Sequence, residues 1–210
     1  MRWILVIIPL LLAACGSGAD AGMADGGGGD AGESPDARVA VDERAFVDAA
    51  LSDIFSEALR NDGTIVISEK IGKPLMDCAS PASMKSARYR EPAFAGAFDD
   101  LLARLWMPGT VARFGELKTK HVTMTAEEDH AIFHGTDLDA SWQRFYEAYP
   151  FADGFVTLSW PGFTPDGTRG VIYVEHSCGS VCGHSQYYAF ELKDGVWTSY
   201  ELSFTCAVLS

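Results

Sequence analysis

Apolar residues recur at helical spacing through residues 41–60. Val47, Leu51, Ile54, Phe55, Ala58 and Leu59 fall on one stripe, and Asn61-Asp62-Gly63 supplies a stop, so the spacing predicts one amphipathic helix. Thr64, Ile65, Val66, Ile67 and Ser68 form a short β-branched run that predicts a strand. Residues 72–86 carry Pro74, Pro81 and several Ser, the composition of a loop. Pro92 opens a second predicted helix, with Phe94, Phe98, Leu101, Leu102 and Leu105 on one face and Met107-Pro108-Gly109 at its end. A strand is expected over 117–125. Trp142, Phe145, Tyr146 and Tyr149 then mark a third helix, stopped by Pro150.

The last third changes period. Residues 155–158 predict a strand, and Thr164-Pro165-Asp166-Gly167 a turn. Strands follow over 170–176, 185–192 and 196–204, the last two joined through Lys193-Asp194-Gly195. Helices first and a meander last predict an α+β fold, with N-terminal helices packed on one face of a C-terminal antiparallel β-meander.

The first residues follow a different logic. Arg2 precedes an apolar run, Trp3 to Ala14, broken only by Pro9. A spanning helix needs about 20 apolar residues, so this run has the length of a signal-peptide core instead. It ends in Leu12-Ala13-Ala14-Cys15, with small side chains before a nucleophilic thiol. These residues resemble the lipobox of bacterial lipoproteins at all four positions. The resemblance implies that residues 1–14 are a signal peptide, and that Cys15 carries the lipid and binds the chain to a bilayer. Several acyl chains on one residue hold a protein stably where one would not. Gly16 in the next position implies the outer membrane, facing the periplasm or the cell surface. Residues 15–35 form a Gly-, Ala- and Asp-rich stretch without Lys or Arg. It has no apolar pattern to offset ordering entropy and is read as a disordered tether, with a reach of about 25 Å. Residues 36–210 remain for a single globular domain.

A formal net charge of −13 disfavours a phosphate backbone, and no basic stripe is interleaved with aromatics. Nucleic acid is therefore excluded as a partner. With 48% hydrophobic residues the chain can bury a substantial core.

With Cys15 assigned to lipid, Cys78, Cys178, Cys182 and Cys206 remain, an even number for an oxidising compartment. Of the three possible connectivities, Cys178–Cys182 would close a hairpin tip. Cys78–Cys206 would tie an early loop to the last strand, adding roughly 4 kcal/mol. The tip also reads as His176-x-Cys178-x3-Cys182-x-His184. Two imidazoles and two thiolates suit zinc or Cu(I), so a metal or thiol-exchange site through these four residues is the alternative to a structural bridge. Oxidation of the thiols and the absence of a Cys-x2-Cys spacing favour the bridge.

Other patterns carry less. His130 and His134 stand four apart but lack the Glu of a His-Glu-x-x-His site, and Gly135 follows at once. Thr125 and Glu128 match a capping box. Asp99-Asp100 and Glu127-Glu128 are sequence neighbours, which point about 100° apart on a helix, and are read as solvated faces. Trp142, Phe145, Tyr146, Tyr149, Trp160, Trp197 and Tyr200 are read as core before groove. No nucleophile elbow, phosphate-binding loop or dinucleotide fingerprint occurs, and no catalytic residue is assigned.

Residues 142–200 resemble a family of uncharacterised secreted bacterial proteins. The resemblance rests on Tyr149-Pro150, Gly154, Leu158-Ser159, Gly162-Phe163, Val171-Ile172-Tyr173-Val174, and Gly195-Val196-Trp197. It also includes the Cys-Gly-x-x-Cys-Gly tip formed by Cys178-Gly179 and Cys182-Gly183. Trp160-Pro161 departs from the family pattern, which has less bulky or charged residues there. The resemblance implies an antiparallel α+β unit with a Cys-Gly hairpin tip and no particular activity. The expectation is a membrane-anchored envelope lipoprotein with a non-catalytic, disulfide-stapled domain that binds an envelope protein or small ligand. No cofactor is expected on this reading. On the alternative one, the tip holds zinc or copper or exchanges thiols.

Overall fold

A computed structural model describes residues 39–60, 63–72, 81–203 and 208–209. The signal peptide, Cys15, the tether and the Cys78–Cys206 bridge expected from sequence lie outside the described residues.

Asp42 starts the first helix, its side chain accepting from the Ala45 amide at 3.0 Å. The stripe expected as one helix is two: α1 (Glu43–Ile54) and α2 (Ser56–Arg60), separated at Phe55, whose ψ turns to 23°. Strand β1 (Ile65–Ser68) follows and is buried throughout. The expected loop over 72–86 is in part helix α3 (Pro81–Arg90). Pro81 is a breaker inside a helix but a good first residue of one, and Ala82-Ser83-Met84-Lys85 continue without another breaker. Pro92 sits in a 3₁₀ turn that runs into α4 (Ala95–Arg104).

After β2 (His121–Met124), the Thr125–Glu128 capping box is complete in both directions and begins α5 (Ala126–Phe133). Asp137 caps α6 (Leu138–Ala148). Then come β3 (Phe155–Leu158), β4 (Gly162–Phe163), β5 (Arg169–Gly179), β6 (Cys182–Lys193), β7 (Val196–Tyr200) and β8 (Val208–Leu209). The strands form one sheet in the order β2-β1-β3-β5-β6-β7, with β4 beside β5 and β8 beside β6. The fold is α+β, and β3 through β8 pair antiparallel. Strand β1, however, runs parallel to both β2 and β3.

The helices cover both faces of this sheet rather than one. On β5, Ile172 and Val174 turn toward α1, and Val171 and Tyr173 toward α4. All four are buried, which is why this segment reads as an unbroken apolar run. On the first face Phe46 of α1 meets Phe163, Phe190 and Trp197 edge-on, with centroids 4.9–5.5 Å apart. On the second, Gly162 lets α4 approach backbone to backbone, since a Cβ there would strike the Ala97 carbonyl. Helices α5 and α6 complete that face over β1 and β3 through Ile132, Trp142, Phe145 and Phe155.

Asp100 is buried, not solvated: its carboxylate accepts the Phe163 amide at 3.1 Å and lies 3.9 Å from Arg104. Arg104 also pairs with Glu43 at 2.6 Å and donates to the Pro161 carbonyl at 2.7 Å. Its guanidinium lies over the Trp160 ring, as does that of Arg113. Among the described residues, no helix is long and apolar enough to cross a membrane.

Candidate functional site

The chemistry-bearing residues of the chain gather at the far end of the β5–β6 hairpin. His176 and His184 are directly paired across these strands, and their ring centroids stand 5.3 Å apart. Register places both on the α1 face, because His176 also opposes the inward-facing Val156. Beyond them the tip is closed by a Cys178–Cys182 disulfide, with Cα atoms 5.0 Å apart. The bond leaves neither sulfur as a thiolate, so in this oxidised form the two imidazoles are the available ligands of the His-x-Cys-x3-Cys-x-His set. Cys182 is exposed and Cys178 half-buried.

His176 is half-buried rather than facing solvent. Its Nε2 lies 2.8 Å from the Asp153 carbonyl. A carbonyl oxygen only accepts, so the proton is on Nε2 and the Nδ1 lone pair is free. Burial lowers the imidazole pKa, partly opposed by that hydrogen bond, and His184 lowers it further. His176 therefore stays neutral where an exposed histidine begins to protonate. The Asp153 carbonyl is brought into position by Gly154, whose φ of +111° suits glycine alone. A Cβ there would also lie 2.9 Å from His176 Nε2 and would meet the Ser177 carbonyl.

Above the histidines lies a cleft of about 580 Å³. The break between α1 and α2 contributes Phe55, whose ring centroid is 6.0 Å from that of His176, and Phe151 stands opposite. Glu57 and Asp153 bring two carboxylates to the lining, and no Lys or Arg lines it among the described residues. The cleft is thus lined by apolar and aromatic side chains together with two imidazoles and two acidic residues. Tyr146 of α6 anchors the hairpin, its hydroxyl donating to the Cys178 carbonyl at 2.8 Å. Ser180 donates to Asp139 at 2.8 Å.

Sequence reasoning identified His176, Cys178, Cys182 and His184 but missed Phe55, Glu57, Phe151 and Asp153. These are remote in sequence from the tip: antiparallel pairing of β3 with β5 brings Phe151 and Asp153 there, and the break between α1 and α2 brings Phe55 and Glu57. The Asp153-Gly154 turn was the available signal, since a glycine just before a strand often marks an unusual backbone position. His130 and His134 do not form a pair: His130 is in α5, whereas His134 is its extended C-cap and holds the Ala131 carbonyl through Nδ1. A second cleft, of about 530 Å³ beside Glu43, Asp100 and Arg104, offers less, because the guanidinium is already committed to both carboxylates. No group of three or more His, Cys, Asp or Glu with metal-ligand geometry occurs among the described residues.

Comparison with known proteins found no matching family model, no similar curated protein and no similar solved structure.

Proposed function

We propose that this chain is a lipid-anchored protein of the bacterial envelope whose domain captures a small ligand in the cleft above His176 and His184. The paired, half-buried imidazoles at the base of an aromatic cleft carry the binding reading. Their neutral state at His176 and the pinned hairpin beneath them suit a preorganised receptor. The anchor is supported by Arg2, the short apolar run and Leu12-Ala13-Ala14-Cys15, in the order an acylated export signal requires.

Two measurements test this. Mass analysis of the N-terminal peptide should show Cys15 as the first residue bearing acyl chains, and Cys15→Ser should release the protein from membranes. A panel of small aromatic amines and acids, followed by ligand-observed NMR on the full chain, should give binders lost in Ala58→Trp, which fills the cleft. An unmodified Met1 terminus refutes the anchor, and binding indifferent to Ala58→Trp refutes the cleft.

The exposure of Cys182 favours a second reading, thiol–disulfide exchange with an envelope dithiol protein. A partner thiolate would attack Cys182 Sγ, forming a mixed disulfide and releasing Cys178 as thiolate. The partner's second thiol would then displace Cys182, leaving the partner oxidised and this chain reduced by two electrons. Equilibration with a dithiol buffer tests it: a bridge that stays oxidised at the potential of envelope dithiol proteins rules exchange out.

A further inference from the structure

Resting on the cleft as the binding site, we infer that His176 and His184 together bind a divalent transition-metal ion through their imidazoles alone, copper in preference to zinc.

Spacing is the first argument. An imidazole nitrogen sits about 2.0 Å from a bound zinc, which puts each ring centroid about 3.2 Å away and two centroids about 5.2 Å apart at a tetrahedral angle. The two rings stand 5.3 Å apart across directly paired residues.

Protonation is the second. A metal-binding histidine commonly donates its other ring N–H to a carbonyl or carboxylate, which fixes the tautomer and sharpens the lone pair. His176 makes this bond through Nε2 to the Asp153 carbonyl, leaving Nδ1 as the ligand atom.

Field is the third. Glu57 and Asp153 line the same cleft without an opposing Lys or Arg among the described residues, in a chain of formal net charge −13. Imidazole ligands select borderline ions over Mg²⁺ or Ca²⁺, and the order of divalent affinities places Cu²⁺ above Zn²⁺. Two protein ligands leave the remaining coordination positions open toward the cleft. A small molecule carrying a nitrogen or carboxylate donor would complete the sphere, which joins the metal to ligand capture.

The test uses the full chain in detergent, stripped with a chelator and titrated separately with CuCl₂, ZnCl₂ and MgCl₂. One Cu²⁺ should bind per chain, with electron paramagnetic resonance showing coupling to two nitrogens. Zn²⁺ should bind more weakly and Mg²⁺ not at all. His176→Gln and His184→Gln should each weaken Cu²⁺ by at least tenfold. His130→Gln should leave it within twofold. Because His184 is at the half-exposed hairpin end, its variant keeps the test valid should His176→Gln fold poorly. Cu²⁺ affinity undiminished in the His184→Gln chain, or a spectrum without two-nitrogen coupling, overturns the inference. Should the aromatic panel still bind while metal does not, the cleft reading stands and the metal site falls.

Discussion

The Tyr146 hydroxyl donates to the Cys178 carbonyl at 2.8 Å, so a residue in the last turn of α6 holds the backbone of the disulfide-closed tip. Removing that donor leaves the carbonyl half-satisfied and frees the hairpin end. Tyr146→Phe is expected to cost about 1 kcal/mol. Amide hydrogen exchange over residues 176–184 should accelerate while that of α1 is unchanged.

Gly154→Ala should be costlier than an ordinary Gly→Ala change. Its φ of +111° is outside the range an alanine adopts comfortably, and the new Cβ meets the Ser177 carbonyl. A loss of more than about 1 kcal/mol is expected in urea denaturation. Displacement of the His176 ring should accompany it, visible as a changed imidazole shift in NMR.

Phe46 is fully buried among Phe163, Phe190 and Trp197 and carries the contact between α1 and the sheet. Phe46→Ala should destabilise the domain by about 3–5 kcal/mol, measured by equilibrium unfolding. Arg104→Lys keeps the charge but loses the fork that joins Glu43, Asp100 and the Pro161 carbonyl. It should cost about 2 kcal/mol, with partial solvent exposure of the pair limiting the loss.

Stability should carry the signature of His176. Its folded pKa lies below the ordinary value of 6.5 because burial disfavours the cation. At high pH the group is neutral in both states and costs nothing. As pH falls through 6.5 the unfolded chain takes up a proton that the folded chain refuses, so stability declines until the folded value is reached and then levels. His184, Asp153 and Glu57 face the same cleft, so the comparison must be made against His176→Gln. In that variant the decline over this segment of the pH–stability curve should be smaller than in the parent chain.

The C-terminal strands were legible because their turns are written in local chemistry: Asp166-Gly167 and Asp194-Gly195 supply the positive φ values that hairpins need. The amphipathic stripes of α1, α4 and α6 were legible from the spacing of Val47, Phe98 and Phe145 with their neighbours. Two things were hidden. Parallel pairing of β1 leaves no local mark, since its partners are set by packing and not by a turn. Asp100 looked solvated beside Asp99 because sequence cannot show the Phe163 amide and Arg104 that receive it. The histidines of the site could be named from the tip, but Phe55, Phe151 and Asp153 come from segments that only the sheet brings together.

The position of β1 also sets a timetable. This strand, one in from the edge of the sheet, is made early but finds its neighbour β3 only after about 90 more residues have been produced. Until Phe155 arrives, Val66 and Ile67 have one of their two flanking strands missing, and the aromatic cluster of α6 has no floor to settle on.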